Sequence, residues 1–184
     1  MNTETLTPKQ QRLHAMIEDP RARTRWAPRS RRRALVIALI TVSLLSALSF
    51  TAAVVMDGLA AYVPFIGFLA LVVLILYLSA YVNIAARWVP GYPGLDEFQR
   101  AQMDQAALKG HRLTQIMLTA VLAVASGIGG AMITSELPGT LIIAILLPLV
   151  LLTALCHASF PAAFLAWTRP DEEDVEEEDD PDQA

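Results

Sequence analysis

The sequence predicts an all-α integral membrane bundle of four transmembrane helices, paired as two hairpins with both termini in the cytoplasm. Three observations lead there. Hydrophobic side chains make up 54% of the 184 residues and charged ones 17%, too little charge for an ordinary soluble domain. Four apolar runs are each long enough to cross the hydrocarbon of a bilayer. The charge is also segregated: nine of the fourteen Lys and Arg lie between Lys9 and Arg33, and ten of the eighteen acids between Asp171 and Asp182. The net charge of -4 therefore averages two opposite tails.

Residues 1–33 read as a basic cytoplasmic arm. Thr7, with Pro8 behind it and Gln10 three residues on, is a capping-box start for a short helix that Pro20 ends. The arginines that follow include Arg29, Arg31, Arg32 and Arg33, directly before the first span. A basic cluster there holds its end in the cytoplasm, and these four side chains are expected to face anionic lipid headgroups, at about 1 kcal/mol for each basic residue near the surface. Nucleic acid is not an expected partner, because the arm offers one aromatic, Trp26, and no recognition fold.

The first span is Ala34 to Val55, about 33 Å as a helix. Ser30-Arg31-Arg32-Arg33 is reminiscent of a twin-arginine signal, but the apolar run is too long and further spans follow. Ser43, Ala47 and Thr51 recur every four residues, a small-residue stripe on which another helix can close. Asp57 and Gly58 mark an outer turn. The second span, Tyr62 to Ala86, carries Pro64 in its first turn, where the missing N–H costs little. Tyr77, Tyr81 and Asn83 are its polar residues, and Arg87 and Trp88 read as interfacial anchors.

Residues 87–112 form the only long polar stretch between apolar blocks. Pro90, Gly91, Pro93 and Gly94 break the helix and Leu95 restarts it. On a helical wheel Leu95, Phe98, Ala106 and Leu113 share one side, with Asp96, Arg100 and Asp104 spaced four apart on another. The expectation is an amphipathic helix leading into the third span. Asp96, Glu97, Arg100 and Asp104 are its candidate interaction residues; Asp96 and Glu97 are poor as a catalytic pair, since helical neighbours point about 100° apart.

Asp96-Glu97-Phe98, with Arg100 two positions later and Ala106 and Thr114 beyond, resembles a set of small bacterial four-span membrane proteins. In that uncharacterised set an Asp-Glu-Arg motif opens a cytoplasmic helix, and an Ala-rich segment leads into a span. Here Phe98 stands in place of the Arg. The resemblance is confined to residues 95–114 and implies a bacterial four-span protein without implying an activity.

The third span, Leu113 to Ile133, has Ala123, Gly127 and Ala131 four apart, a second small-residue stripe expected to pack tightly. Gly127-Ile128-Gly129-Gly130 lacks the spacing and the preceding strand of a dinucleotide loop. The fourth span, Leu141 to Leu165, contains Pro148 and Pro161, whose freed carbonyls need partners on neighbouring helices. His157 is the only histidine, carboxylate or basic side chain placed inside a span, and so a candidate functional residue beside Tyr77, Tyr81 and Asn83. Cys156, the single cysteine, excludes an intramolecular disulfide.

Every Lys and Arg falls in the arm, the central stretch or just after the fourth span, and the two outer turns carry only Asp57 and Glu136. This asymmetry predicts cytoplasmic termini and the bacterial cytoplasmic membrane as location. The acidic tail from Asp171 reads as disordered, and shares a compartment with the arm, to which it is expected to pair. An offset of 79 positions matches Arg33 with Arg112, Ala52 with Ala131, Asp57 with Glu136 and Trp88 with Trp167. Two hairpins crossing one bilayer need such features anyway, so the offset is read as convergence rather than a repeat.

No metal-ligand spacing, nucleophile with a matched base or phosphate loop is present, so neither a cofactor nor catalysis is expected. The leading functional expectation is a non-enzymatic accessory or interaction protein, with the lipid bilayer and a protein partner or second copy as its contacts. The alternative is a small transporter or channel subunit, with Tyr77, Tyr81, Asn83 and His157 along a path. The spans lack the deeply placed acids and bases that ion-coupled carriers use.

Overall fold

The computed structural model describes residues 25–89, 95, 97–134 and 138–170. The arm helix after Thr7, the breaker segment with Asp96, the outer turn at Ser135 and the acidic tail lie outside these residues. The described residues form four helices long and apolar enough to cross a membrane, and no strand. We number them α1 (Arg29–Val55), α2 (Tyr62–Ala86), α3 (Glu97–Thr134) and α4 (Gly139–Thr168).

Each boundary has a local cause. α1 starts one turn before the apolar run because Pro28, in extended conformation, serves as its N-cap, and the Pro28 carbonyl takes the Arg31 and Arg32 N–H groups at 3.2 and 3.4 Å. It therefore carries the four arginines as helix. Past Val55 the chain turns through Gly58, whose φ of 63° is open to glycine, into a short 3-10 turn, Gly58–Ala61, before α2. α3 is 38 residues long, so the expected amphipathic segment and the third span are one continuous rod. Glu97 in its first turn complements the positive end of the helix dipole.

α4 is the axis of the bundle. It packs along α1, α2 and α3, and α1 packs along α2, whereas among the described residues α4 is the only extensive neighbour of α3. Arg32 reaches Arg169 just beyond α4, the Ser79 and Ser159 hydroxyls meet at 3.2 Å, and Thr51 meets Ala144 far from both. The start of α1 and the ends of α2 and α4 thus lie at one end, here called the arginine end. Trp26, Trp88 and Trp167 belong to it.

Buried side chains concentrate at the same end, where Val36, Val82, Ala86, Met103, Ala106 and Ala166 form one cluster. Away from it, large apolar side chains such as Leu48, Val73, Leu122 and Ile133 are exposed. That distribution suits a lipid solvent, in which an outward leucine costs nothing and helices associate through close packing and hydrogen bonds. Pro148 illustrates the second term. It cannot donate to Ala144 four residues back, and Thr51 of α1 donates its Oγ1–H to that carbonyl at 2.9 Å.

One expectation is corrected. The buried face of the 97–112 segment is Met103, Ala106 and Gly110, while Phe98 is 71% exposed. Phe98 lies about 110° around the helix from the centre of that face, and at Gly110 the face must be small because α4 comes so close: a Cβ there would stand 3.1 Å from Pro161 Cγ. The hairpins are not arranged as a two-fold pair, which agrees with reading the 79-position offset as convergence. Such symmetry would match the α1–α4 contact with an α3–α2 contact, and no extensive one exists among the described residues.

Candidate functional site

The arginine end is assembled from side chains that serve the fold and side chains left facing outward. Arg32, 2% exposed, turns into the bundle and donates from Nη2 to the Arg169 and Pro170 carbonyls, both at 2.9 Å. A guanidinium there satisfies acceptors past the last turn of α4 and complements its negative dipole end. Arg33 stacks over the Trp167 ring, 4.9 Å from its centroid. Arg31, exposed, donates to the Arg25 carbonyl at 3.3 Å, and Arg29 is half-buried. Of the four arginines expected to face headgroups, Arg31 is thus the fully outward one.

Across the same end, α2 closes in a Schellman motif. The Trp88 N–H donates to the Asn83 carbonyl at 2.9 Å and the Arg87 N–H to Ile84 at 3.1 Å. The left-handed position of that motif, normally glycine, is held by Arg87 at φ 51° and ψ 43°. Arg87 is the only non-glycine residue with positive φ among those described. Beside it opens a cavity of about 80 Å³, lined by Arg87, Arg169, Gln99 and Gln102 on its polar side and by Leu95, Met103 and Leu165 on its apolar side. Sequence reasoning read Arg87 as an anchor and did not find this cavity; an arginine where a helix stop favours glycine was the available signal.

The four candidate polar span residues fall into separate groups. Tyr77 donates its hydroxyl proton to the Tyr81 hydroxyl at 3.1 Å, the rings lie 4.6 Å apart, and Trp26 meets Tyr81 edge-on at 6.1 Å. His157 is paired on the other side of the bundle, where its Nδ1 lies 3.0 Å from Thr114 Oγ1. Thr114 Oγ1 also lies 2.9 Å from the Gly110 carbonyl, to which it can donate, so one hydroxyl links His157 to the backbone of α3. Asn83 is half-buried on α2, about 160° around the helix from Tyr81. These residues do not converge on one path.

The two small-residue stripes also part ways. Ser43, Ala47 and Thr51 are half-buried on the α4 side of α1, where Ser43 and Ala47 line an apolar crevice of about 70 Å³ with Pro148. On α3, Ala123 and Gly127 are exposed and Ala131 half-buried, and a Cβ on Gly127 would meet nothing within 4 Å. The side of α3 toward α4 follows Thr114, Met117, Val121, Ala125 and Ile128, each half-buried, and Gly127 lies about 120° off it. Glu97, Arg100 and Asp104 stand exposed along the start of α3. Among the described residues no three His, Cys, Asp or Glu side chains gather as a metal site.

No protein-family model, curated protein or solved structure matches the chain.

Proposed function

We propose that the chain is a non-enzymatic accessory protein of the bacterial cytoplasmic membrane, termini inward, which holds a second membrane protein or a second copy of itself against the outer part of α3. One observation carries this reading. In the most apolar stretch of α3 no residue is buried, against 22% in α1, although that stretch carries glycine and alanine at helix-packing spacing. A helix that only needs to face lipid gains nothing from glycine, which lowers its helix propensity. Bulky apolar residues occupy other outward positions of the same helix, Leu118, Leu122 and Ile133 among them, beside the exposed small residues Ala120, Ser126, Gly129 and Gly130.

The orientation rests on charge. The arginine end carries the basic residues, and basic residues next to spans stay in the cytoplasm. Labelling of single cysteines in a Cys156→Ala chain tests it in whole cells: an impermeant maleimide should reach Gly139→Cys and spare Ser30→Cys. Labelling of Ser30→Cys alone would invert the topology. The interaction itself is tested by cross-linking from Gly127→Cys in native membranes, which should give a discrete adduct.

A further inference from the structure

We infer that the lipid headgroup layer on the arginine side of the membrane meets the protein at a belt of Trp26, Tyr77, Tyr81, Arg112 and His157, and that the rest of the arginine end stands beyond this belt as a water-facing head. The inference rests on the chain's crossing a bilayer, and not on which way it faces or what α3 meets. Helix length is the first ground. α4 has 30 residues, about 45 Å as a helix, against about 30 Å of hydrocarbon. A tilt of about 20° absorbs only about 3 Å, so about 12 Å of α4 must project from the hydrocarbon.

The side chains show at which end. Away from the arginine end, large apolar side chains stay outward up to the connecting turn, and Val55, Leu59 and Ile133 are all more than half exposed there. The hydrocarbon therefore reaches that turn. Counted inward from Gly139, about 30 Å of helix ends beside Ser159. From Ser159 to Ala166 no residue of α4 is exposed, and none of α2 from Tyr81 to Ala86. Apolar side chains here turn inward instead, into the cluster with Val82, Ala86, Met103, Ala106 and Ala166. Water demands such burial and lipid does not. Outward positions past this level include Ser30, Arg31, Arg100 and Asp104, while the large apolar side chains still exposed among the described residues are Ile37, Phe98, Leu108 and Trp167.

Residues at the changeover have the chemistry of an interface. α2 and α4 run in the same direction, so the contact of Ser79 with Ser159 sets Tyr77 level with His157. The contact of His157 with Thr114 brings the exposed Arg112 of α3 to nearly the same depth. Trp26 folds back from the start of α1 to meet Tyr81, one turn beyond Tyr77. Aromatic rings with a polar tip and long basic side chains are the groups that settle where hydrocarbon gives way to headgroups. Trp167 lies about 12 Å further along α4 than Ser159, beneath the Arg33 guanidinium.

The test is tryptophan quenching by brominated lipid in liposomes containing the full chain. One variant carries Trp88→Phe with Trp167→Phe and keeps Trp26; the other carries Trp26→Phe with Trp88→Phe and keeps Trp167. Lipid brominated near the glycerol end of its acyl chains should quench Trp26 about threefold more than Trp167. In a chain with all three tryptophans changed to phenylalanine, Val73→Trp, at a position 67% exposed on α2, should be quenched most by lipid brominated at mid-chain. Trp167 quenched as strongly as Trp26, or Trp26 left unquenched, would overturn the belt. An unquenched Val73→Trp would instead overturn the crossing of the bilayer on which the inference rests.

Discussion

The stripe Ser43, Ala47, Thr51 on α1 and the stripe Ala123, Gly127, Ala131 on α3 have the same four-residue spacing and opposite surroundings. The first lies against α4, where Thr51 supplies the proton that Pro148 denies to the Ala144 carbonyl. The second lies off the α4-facing side of α3, with open space around Gly127. Small-residue spacing makes a helix able to pack closely; what determines the partner is a need on the opposing surface. On α1 that need is an orphaned carbonyl within the same chain. On α3 the matching surface belongs to another molecule in our account.

The comparison breaks most readily at the glycines. Gly110→Leu should lower thermal stability in detergent by about 1 to 3 kcal/mol, since its side chain enters the space of Pro161 and Phe160. Gly127→Leu should leave the same melting curve unchanged or slightly raised, because nothing opposes it in the monomer and leucine is the better helix former. A comparable loss for both would mean that Gly127 packs within the chain after all.

Thr51→Val, with the same shape and no hydroxyl, should destabilise by about 1 kcal/mol, the usual scale of an interhelical hydrogen bond in a membrane protein. Thr51→Ser should restore most of that. Ser43→Ala sharpens the contrast inside one stripe. Its hydroxyl bonds the Leu39 carbonyl of its own helix at 2.8 Å, so removal should change stability by less than about 0.5 kcal/mol. Equal effects at Thr51 and Ser43 would reduce both to packing residues.

Much of the fold is legible in the residues because the bilayer imposes length and apolarity. The second span runs Tyr62 to Ala86 in both sequence reading and structure. The need of Pro148 for a foreign donor was also legible, although its donor was not, since register between helices is a tertiary property. The buried face of 97–112 was missed for a definite reason. Phe98 is the largest apolar side chain there, and hydrophobic size favours it, but the buried face is Met103, Ala106 and Gly110, and at Gly110 Pro161 and Phe160 of α4 leave no room for a side chain. The same limit hid the Arg87 cavity, whose lining comes from the ends of three helices and the residues between them. For His157 the sequence identified a polar group, and only the structure shows that Nδ1 meets the Thr114 hydroxyl.

The most direct test of the account compares two glycines on one helix. Gly127 and Gly129 are both exposed, both have open space where a Cβ would go, and they lie about 160° apart around α3. In a Cys156→Ala chain in native membranes, short thiol cross-linking from Gly127→Cys should give one discrete adduct, either a dimer or a defined partner, and Gly129→Cys should give none. Equal cross-linking from both positions, or none from either, would contradict the claim that α3 presents a partner-binding face.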